Sequence, residues 1–210
     1  MYKRQGLIKD RANNFSSDSY TYASIASVGF GLTAICIGES RGWVSYDEAY
    51  KRVLKTLNFF KNSAPGTNGF YYHFLDINTG ARYGNCEVSS IDTALFLAGA
   101  LFAGQYFKGT QIETIADELY QRANWRWMQN TTSDFISMGW KPEKDNGGGF
   151  TIPWNGGYLC SYEWDHYNEG VLLDVLAIGS PTYPPNNSPN CWKNMGRPTG
   201  SYGAYNNIIY

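Results

Sequence analysis

The sequence contains few charged residues and has no excess of either sign. Asp, Glu, Lys and Arg make up 17% of its 210 residues, and the formal net charge is −1. Because no run of basic residues is present, the composition gives no electrostatic reason to expect a nucleic-acid partner. Histidine is scarce as well: the two residues, His73 and His166, lack the spacing that two zinc-binding histidines take on one helix. We therefore expect neither a metal site nor a nucleic-acid partner.

Paired cysteines and long apolar runs are also missing. The four cysteines show no paired spacing, so disulfide pairing cannot be deduced; they are Cys36, Cys86, Cys160 and Cys191. Cys36 lies in an apolar helical segment and is predicted to be a buried free thiol. No run is long enough to predict a transmembrane helix comfortably, and no signal peptide is recognisable.

The first five residues are excluded from the interpretation of the fold. Met1-Tyr-Lys-Arg-Gln5 matches what the end of a common transposon sequencing adapter encodes in one reading frame. We therefore interpret residues 1–5 as a non-native leader, and we expect that any export signal was lost upstream.

Aromatic residues, in contrast, are abundant. Phe, Trp and Tyr make up 17% of the chain, which includes 7 Trp and 17 Tyr. Such a composition suits a protein with wide, flat recognition surfaces, although aromatic side chains also fill ordinary cores.

Apolar and amphipathic helical segments alternate along the chain. Residues 90–107 have no solvated face, so the helix that they predict must be buried. Residues 24–37 and 164–178 have the same character. Between these segments, residues 45–60 and 112–127 carry apolar side chains on one helical face and charged side chains on the other, which is typical of outer helices.

This alternation predicts an all-α fold, in which buried inner helices are ringed by outer helices as an α/α double ring. A short β-hairpin is predicted near 70–84, where a turn ending in Gly80 separates two aromatic segments. Residues 131–161 are interpreted as rich in loops, and residues 186–210 as irregular. Because so few helices cannot close a ring, we expect an open fragment, with self-association as the alternative.

Two clusters of ionisable residues stand at the beginnings of inner helices. Glu87 and Asp92 mark one helix, and Asp165, His166 and Glu169 mark another. Such groups are costly to bury without partners, and for either cluster alone a capping or ion-pairing role is the better interpretation. If the inner helices run parallel, however, both clusters lie on one face of the ring and their carboxylates converge.

Converging carboxylates beside aromatic side chains suit the hydrolysis of a glycosidic bond. One protonated carboxyl gives its proton to the leaving oxygen and a second activates water, with their pKa values pushed apart by their surroundings. Side chains that are candidates to stack on sugar rings or to donate hydrogen bonds are Tyr71, Tyr72, His73, Trp154, Trp164 and Tyr167.

Several motifs, in one order, resemble those of a known family. They are SIASVGFGLTAICIG at 24–38, GFYYHFLD at 69–76, SIDTAL at 90–95, LYQRANWRW at 119–127, WDHYNEG at 164–170 and GSPT at 179–182. In these segments the chain resembles the bacterial glycoamylase-like domain, whose characterised relatives include the endo-β-1,2-glucanases of glycoside hydrolase family 144. The resemblance runs from about residue 6 to residue 185, while the family's first helix and its last several helices have no counterpart.

The resemblance implies a partial (α/α)6 toroid at 6–185, followed by an irregular tail at 186–210. It also implies an inverting hydrolase without a cofactor, an oligo- or polysaccharide substrate such as β-1,2-glucan, and export to the periplasm or cell surface. The candidate catalytic residues are then Glu87, Asp92 and Glu169. The candidate substrate-binding residues are Asp10, Arg11, Tyr72, His73, Trp154, Trp164, Asp165, His166 and Tyr167.

Two other classes of function remain open at this point. A non-catalytic glycan-binding protein would use the same aromatic cavity, and a helical scaffold would bind no ligand. Hydrolysis of β-glucan is our first hypothesis, with the reservation that this piece alone lacks part of the family's domain.

Overall fold

Helices and strands both occur in the computed structural model, which describes residues 6–17, 19–197, 204–205 and 208–209. The helices are α1 (Ile25–Ser40), α2 (Tyr46–Asn62), α3 (Ser90–Tyr106), α4 (Gln111–Arg122), α5 (Trp125–Met128), α6 (Gly170–Ile178) and α7 (Asn190–Asn194). The strands are β1 (Tyr22–Ser24), β2 (Gly66–Thr67), β3 (Phe70–Tyr72), β4 (Phe74–Asp76), β5 (Val88–Ser89), β6 (Gly139–Lys141), β7 (Phe150–Trp154), β8 (Gly157–Cys160), β9 (Ala204–Tyr205) and β10 (Ile208–Ile209). No helix within the described ranges combines the length and the apolarity that crossing a bilayer requires.

The long helices lie where the hydrophobic pattern predicts them. α1 and α3 are apolar on most sides, whereas α2 and α4 bury one face and leave the other to solvent. The outer helices α2 and α4 are joined by two polar contacts. Lys61 Nζ lies 2.5 Å from Glu118 Oε2, and the Arg122 guanidinium donates a hydrogen bond to the Lys61 carbonyl oxygen. Cys36 of α1 is a buried free thiol, which confirms that prediction.

Helices α1 and α3 run in the same direction and touch through their backbones. A Cβ atom on Gly99 would lie 2.1 Å from the carbonyl oxygen of Gly29, so the two helices approach at a point where neither carries a side chain. Further along both helices, the Tyr106 hydroxyl donates a hydrogen bond to the Glu39 carboxylate. Because later residues of α1 meet later residues of α3, the two inner helices are parallel.

The third inner helix begins later than predicted. α6 starts at Gly170, whereas the sequence predicts helix from residue 164. The backbone N–H of Trp164 donates to the carbonyl oxygen of Ile136, and that of Tyr167 donates to the carbonyl oxygen of Gly196. Since this segment is hydrogen-bonded to other parts of the chain, its backbone adopts an irregular path until residue 169.

The prediction of an all-α fold is wrong. Among the described residues, six strands form one antiparallel sheet in the order β2-β3-β5-β6-β8-β7. Three of these strands lie within residues 131–161, which the sequence predicts to be rich in loops. The predicted toroid is also unsupported, because the described residues supply α2 and α4 as outer helices and a sheet, instead of a further helix, leads into α3.

The turn between β7 and β8 contains a hairpin signal that is visible in the sequence. Asn155 and Gly156 form this turn, with φ values of 45° and 80°. Positive φ at both central residues is the mark of a two-residue hairpin turn, for which Asn-Gly is a strongly preferred pair. The other strands of the sheet are too short for an alternation of apolar and polar side chains to be recognised.

The predicted hairpin near 70–84 is only partly formed. The turn is present: Asp76 Oδ1 accepts hydrogen bonds from the backbone N–H groups of Asn78 and Thr79, and Gly80 has a positive φ. Its two arms, however, are joined by one isolated bridge between Leu75 and Arg82. β3 belongs to the six-stranded sheet and β4 pairs with β1, so the two strands on either side of residue 73 separate.

The ends of the chain contain more structure than the sequence predicts. Within residues 186–210, interpreted as irregular, lie α7 and the antiparallel pair β9–β10. The predicted leader at 1–5 lies outside the described residues.

The contact between α1 and α3 can be tested by adding one methyl group. Replacing Gly99 by Ala pushes a Cβ into the Gly29 carbonyl, and overpacking of this kind destabilises a protein by about 1–3 kcal/mol. Gly38→Ala is the matched control in α1, because its Cβ would lie 3.6 Å from the nearest atom, in Val44. Gly38→Ala should be neutral or stabilising by up to ~1 kcal/mol. Urea denaturation measures both free energies of unfolding, and equal values for the two variants would contradict a backbone contact at Gly99.

Candidate active site

A cleft of about 490 Å³ opens at the N-terminal ends of α1, α3 and α6. Its ionisable lining residues are Asp10, His73, Glu87, Asp92 and Glu169. Its apolar lining residues include Phe30, Ile91, Leu95, Met138 and Trp164. The cleft therefore combines groups suited to proton transfer with side chains suited to the apolar face of a ligand.

His73 stands between two carboxylates. Its Nδ1 lies 2.8 Å from Glu87 Oε1, and its Nε2 lies 3.4 Å from Asp92 Oδ1. The backbone of His73 is fixed as well, because its N–H donates to the Glu87 carbonyl oxygen and its carbonyl oxygen accepts from the N–H of Ile25. The backbone of residue 73 is therefore bonded both to the segment before β5 and to the first residue of α1. These two backbone hydrogen bonds fix the position from which the His73 ring extends.

Asp92 lies in the first turn of α3 and is only 7% exposed. Ser89, the N-cap of the helix, accepts a hydrogen bond from the Asp92 N–H at 3.2 Å and donates its hydroxyl proton to Asp92 Oδ2 at 2.6 Å. The sequence leaves open whether Ser89 or Ser90 caps this helix, and the structure assigns the cap to Ser89. Ser90 instead donates to the Ser137 carbonyl and accepts from the Trp164 indole N–H.

The surroundings push the pKa values of the two buried carboxyls in opposite directions. Burial raises the pKa of Asp92, and the charges of Glu87 and Glu169 raise it further, which outweighs the opposing effects of His73 and the Ser89 hydrogen bond. Burial also raises the pKa of Glu87, but its hydrogen bond with His73 and the charges of His73 and Lys141 outweigh it, so the net shift is downward. Asp92 therefore keeps its proton to a higher pH than an ordinary aspartic acid, and Glu87 loses its proton at a lower pH than an ordinary glutamic acid.

The pKa of His73 is raised on balance. Burial lowers it, but the hydrogen bond with Glu87 and the negative charges of Asp92, Glu87 and Asp10 have the larger combined effect. The hydrogen bond and the negative charges thus favour the charged form of the imidazole, which helps to accommodate three ionisable side chains in a partly buried place.

The structure brings together half of the predicted site residues. Those that line the cleft are Asp10, His73, Glu87, Asp92, Trp164 and Glu169. Glu87 and Glu169, which are far apart in the sequence, meet in one cleft because the helices that follow them begin there. Their catalytic roles remain predictions.

Three of the other predicted residues do not line the cleft. Arg11 pairs with Asp10 at 2.6 Å and faces a separate shallow hollow. The ring of Tyr72 lies under the Arg82 guanidinium, at 4.6 Å from its centroid. Trp154 belongs to the β7–β8 hairpin, and its indole N–H donates to the Trp127 carbonyl oxygen.

Asp165, His166 and Tyr167 also lie outside the cleft. Backbone hydrogen bonds with Gly196 on both sides of residue 166 draw this segment towards the tail of the chain. The His166 side chain is 73% exposed, and its Nδ1 lies 2.6 Å from Asp165 Oδ1. The sequence interpretation placed these residues in a helical turn beside Glu169, and the irregular path of 164–169 separates them from it.

Several cleft residues were not predicted from the sequence. They are Ser24, Ala26, Ser27, Phe30, Ser89, Ile91, Leu95 and Met138. All but Met138 lie at or near the start of α1 or α3, the end that was predicted to face the site. Residues in the first turns of these helices could therefore have been named, and Phe30, 66% exposed, is the most prominent of them.

The charge on His73 can be measured directly. We expect its pKa to lie above the ordinary value of ~6.5, and we expect Glu87→Gln to lower it because a negative partner of the imidazolium is removed. NMR titration of the ring protons is simple in a chain with two histidines, and a His166→Gln variant assigns the signals. Glu143→Gln is the control, since Glu143 pairs with Arg82. A His73 pKa that does not respond to Glu87→Gln would contradict this geometry.

No protein-family model matches the chain. Among curated proteins, it is 28% identical over 166 residues to an exo β-1,2-glucooligosaccharide sophorohydrolase (non-reducing end) of Parabacteroides distasonis. The match takes in 74% of this chain and 21% of that protein. The chain thus spans about a fifth of the length of this curated relative.

Solved structures give the same relationship. A β-1,2-glucanase from Parabacteroides distasonis superposes with a TM-score of 0.69 and 26% identity, over 83% of this chain and 24% of its own. A candidate glucoamylase from Bacteroides uniformis superposes with a TM-score of 0.77 over 98% of this chain and 48% of its own, and at 24% identity it is evidence for the fold alone. The resemblance to the glycoamylase-like domain is therefore confirmed, and the chain is related in sequence and fold to hydrolases of β-1,2-glucan.

Proposed function

We propose that the cleft belongs to the active site of a glycoside hydrolase that acts on β-1,2-glucan or a related β-glucan. The observation that carries the proposal is the pair of carboxyls, Asp92 and Glu87, whose pKa values are shifted in opposite directions on either side of His73. The names of the related proteins support the choice of substrate.

In this proposal Asp92 supplies the proton for the leaving group. Its proton moves to the glycosidic oxygen while the bond between that oxygen and the anomeric carbon breaks, with the bonding electrons passing to the oxygen. Glu169 is exposed at the start of α6 and also lines the cleft. It accepts a proton from a water molecule that attacks the anomeric carbon from the opposite face, so the configuration is inverted.

In this scheme the charges of Glu87 and His73 offset each other within the cleft. Glu87 stays ionised beside the imidazolium, and the positive charge of His73 stabilises Asp92 after it has lost its proton. Phe30 also lines the cleft, and its exposed ring is available to a sugar ring. Stacking of this kind binds the substrate without taking part in proton transfer.

The related proteins are much longer than this chain, so the chain accounts for only part of the active site that they contain. The candidate glucoamylase has about as much additional chain as the part that superposes. The proposal therefore treats residues 6–185 as an incomplete domain, with further walls of the active site contributed by polypeptide outside this sequence. Export to the periplasm or cell surface is part of the same proposal, because a glucan polymer is met there.

A non-catalytic glycan-binding protein is the second candidate. The observation that favours it is that the chain spans 21% of the curated hydrolase that it matches. One wall of a cleft can hold a sugar without completing the arrangement that cleavage requires.

Substitution of the two proposed proton-transfer groups separates these functions. Asp92→Asn and Glu169→Gln should each lower reducing-sugar release from β-1,2-glucan by at least about 100-fold, in this chain or, if it is inactive, in a parent that spans the length of the relatives. Asp165→Asn is the matched control, because Asp165 lies close in sequence to Glu169 but outside the cleft.

Calorimetry with β-1,2-linked gluco-oligosaccharides completes the experiment. If the Asp92 and Glu169 substitutions abolish hydrolysis but leave binding unchanged, the result supports a glycoside hydrolase. Binding without cleavage by a complete parent supports the second candidate. Normal turnover in either variant would remove that carboxylate from the mechanism.

A further inference from the structure

The hydroxyl of Ser89 makes a hydrogen bond that an ordinary helix cap does not make. Ser24 and Ser45 cap α1 and α2 by accepting one backbone N–H each, from Ser27 and Glu48. Ser89 accepts the backbone N–H of Asp92 in the same way, but it also donates its proton to the carboxylate of Asp92 at 2.6 Å. This second bond is not needed to cap the helix, so it calls for a separate explanation.

Burial of Ser89 explains why its hydroxyl donates to Asp92. Ser89 is 2% exposed, and a buried hydroxyl proton without an acceptor is unfavourable. Asp92 Oδ2 is that acceptor, which turns the other carboxylate oxygen, Oδ1, towards His73 Nε2. The two oxygens of Asp92 therefore have different surroundings: one is bound by Ser89 and the other faces the imidazole.

We propose that Ser89 is a positioning residue, which holds Asp92 Oδ2 so that the exchangeable proton of Asp92 lies on Oδ1, beside His73. The inference rests on the proposed function, in which Asp92 is the proton donor. It adds to that function the group that selects which oxygen donates. Without Ser89 the carboxyl is free to rotate, and its proton is no longer restricted to Oδ1.

The charged groups around Asp92 are the same in every variant of the test. They are His73, which follows β3, Glu87, which precedes β5, and Glu169, which precedes α6. Removing the Ser89 hydroxyl changes none of these charges. A shift in the titration of Asp92 would therefore report the loss of the Ser89 side chain and its hydrogen bond, and not a change of charge.

Ser89→Gly is the main variant, because Gly is nearly as good as Ser at an N-cap and the helix should keep its stability. Ser89→Thr keeps a hydroxyl and should behave as the natural chain does. Ser45→Ala is the matched control, since it removes a cap that lies outside the cleft. All three are made in the chain as it stands and compared with the unsubstituted protein.

The readout is carbon-13 NMR titration of the Asp92 carboxyl, which needs no enzymatic activity. Loss of a hydrogen bond to the ionised form should raise the pKa of Asp92 by about one unit in Ser89→Gly. Ser45→Ala should leave it unchanged while lowering the urea midpoint. An unchanged Asp92 pKa in a folded Ser89→Gly variant would overturn the proposal and leave Ser89 as a cap only.

The pH profile of hydrolysis is the second readout, in whichever chain is active. A proton donor must be protonated, so the rate falls as pH rises through its pKa, and Ser89→Gly should move this alkaline limb to higher pH. Its rate at the optimum should fall as well, because the proton is no longer held on Oδ1. Ser89→Thr should restore both.

Failure of this inference can be told apart from failure of the proposed function. A shifted Asp92 titration in a protein without hydrolytic activity would leave the positioning by Ser89 standing and count against the enzyme. If hydrolysis occurs but neither the Asp92 titration nor the pH profile is shifted in Ser89→Gly, the enzyme function stands and the positioning role of Ser89 is contradicted.

Discussion

The close contact between α1 and α3 determines the geometry of the site. The two helices meet where Gly29 and Gly99 leave no side chain between their backbones, and they run parallel from there. Because the helices are parallel, both begin at the same end of the molecule. The residues in their first turns, and the loops that lead into them, therefore form the walls of a single cleft.

His73 connects this architecture to its chemistry. Its backbone joins the segment before β5 to the start of α1, and its ring lies between Glu87 and Asp92. Its hydrogen bond with Glu87 lowers the pKa of that carboxyl. The deeper burial of Asp92 raises the pKa of the second carboxyl, so the two acids in one cleft are shifted in opposite directions.

The sequence predicts the helices well and the sheet poorly, for a physical reason. A helix of three or more turns repeats its apolar pattern often enough to be recognised, as in α2 and α3. The strands of the sheet have two to five residues, and their pairing depends on partners far along the chain, such as Val88 and Trp140. The convergence of Glu87 and Glu169 needed only the direction of the helices, so it could be predicted. The displacement of Asp165–Tyr167 could not, because it depends on bonds with Gly196 in the tail.

The central claim is that a glycosidic bond lies between the carboxyl of residue 92 and that of Glu169. A crystal structure of the Asp92→Asn variant with a bound β-1,2-linked gluco-oligosaccharide tests it most directly. The account predicts a glycosidic oxygen within hydrogen-bonding distance of the side chain at position 92, the anomeric carbon open to Glu169, and a sugar ring against Phe30. A sugar bound away from the cleft, or a glycosidic bond remote from both groups, would contradict it.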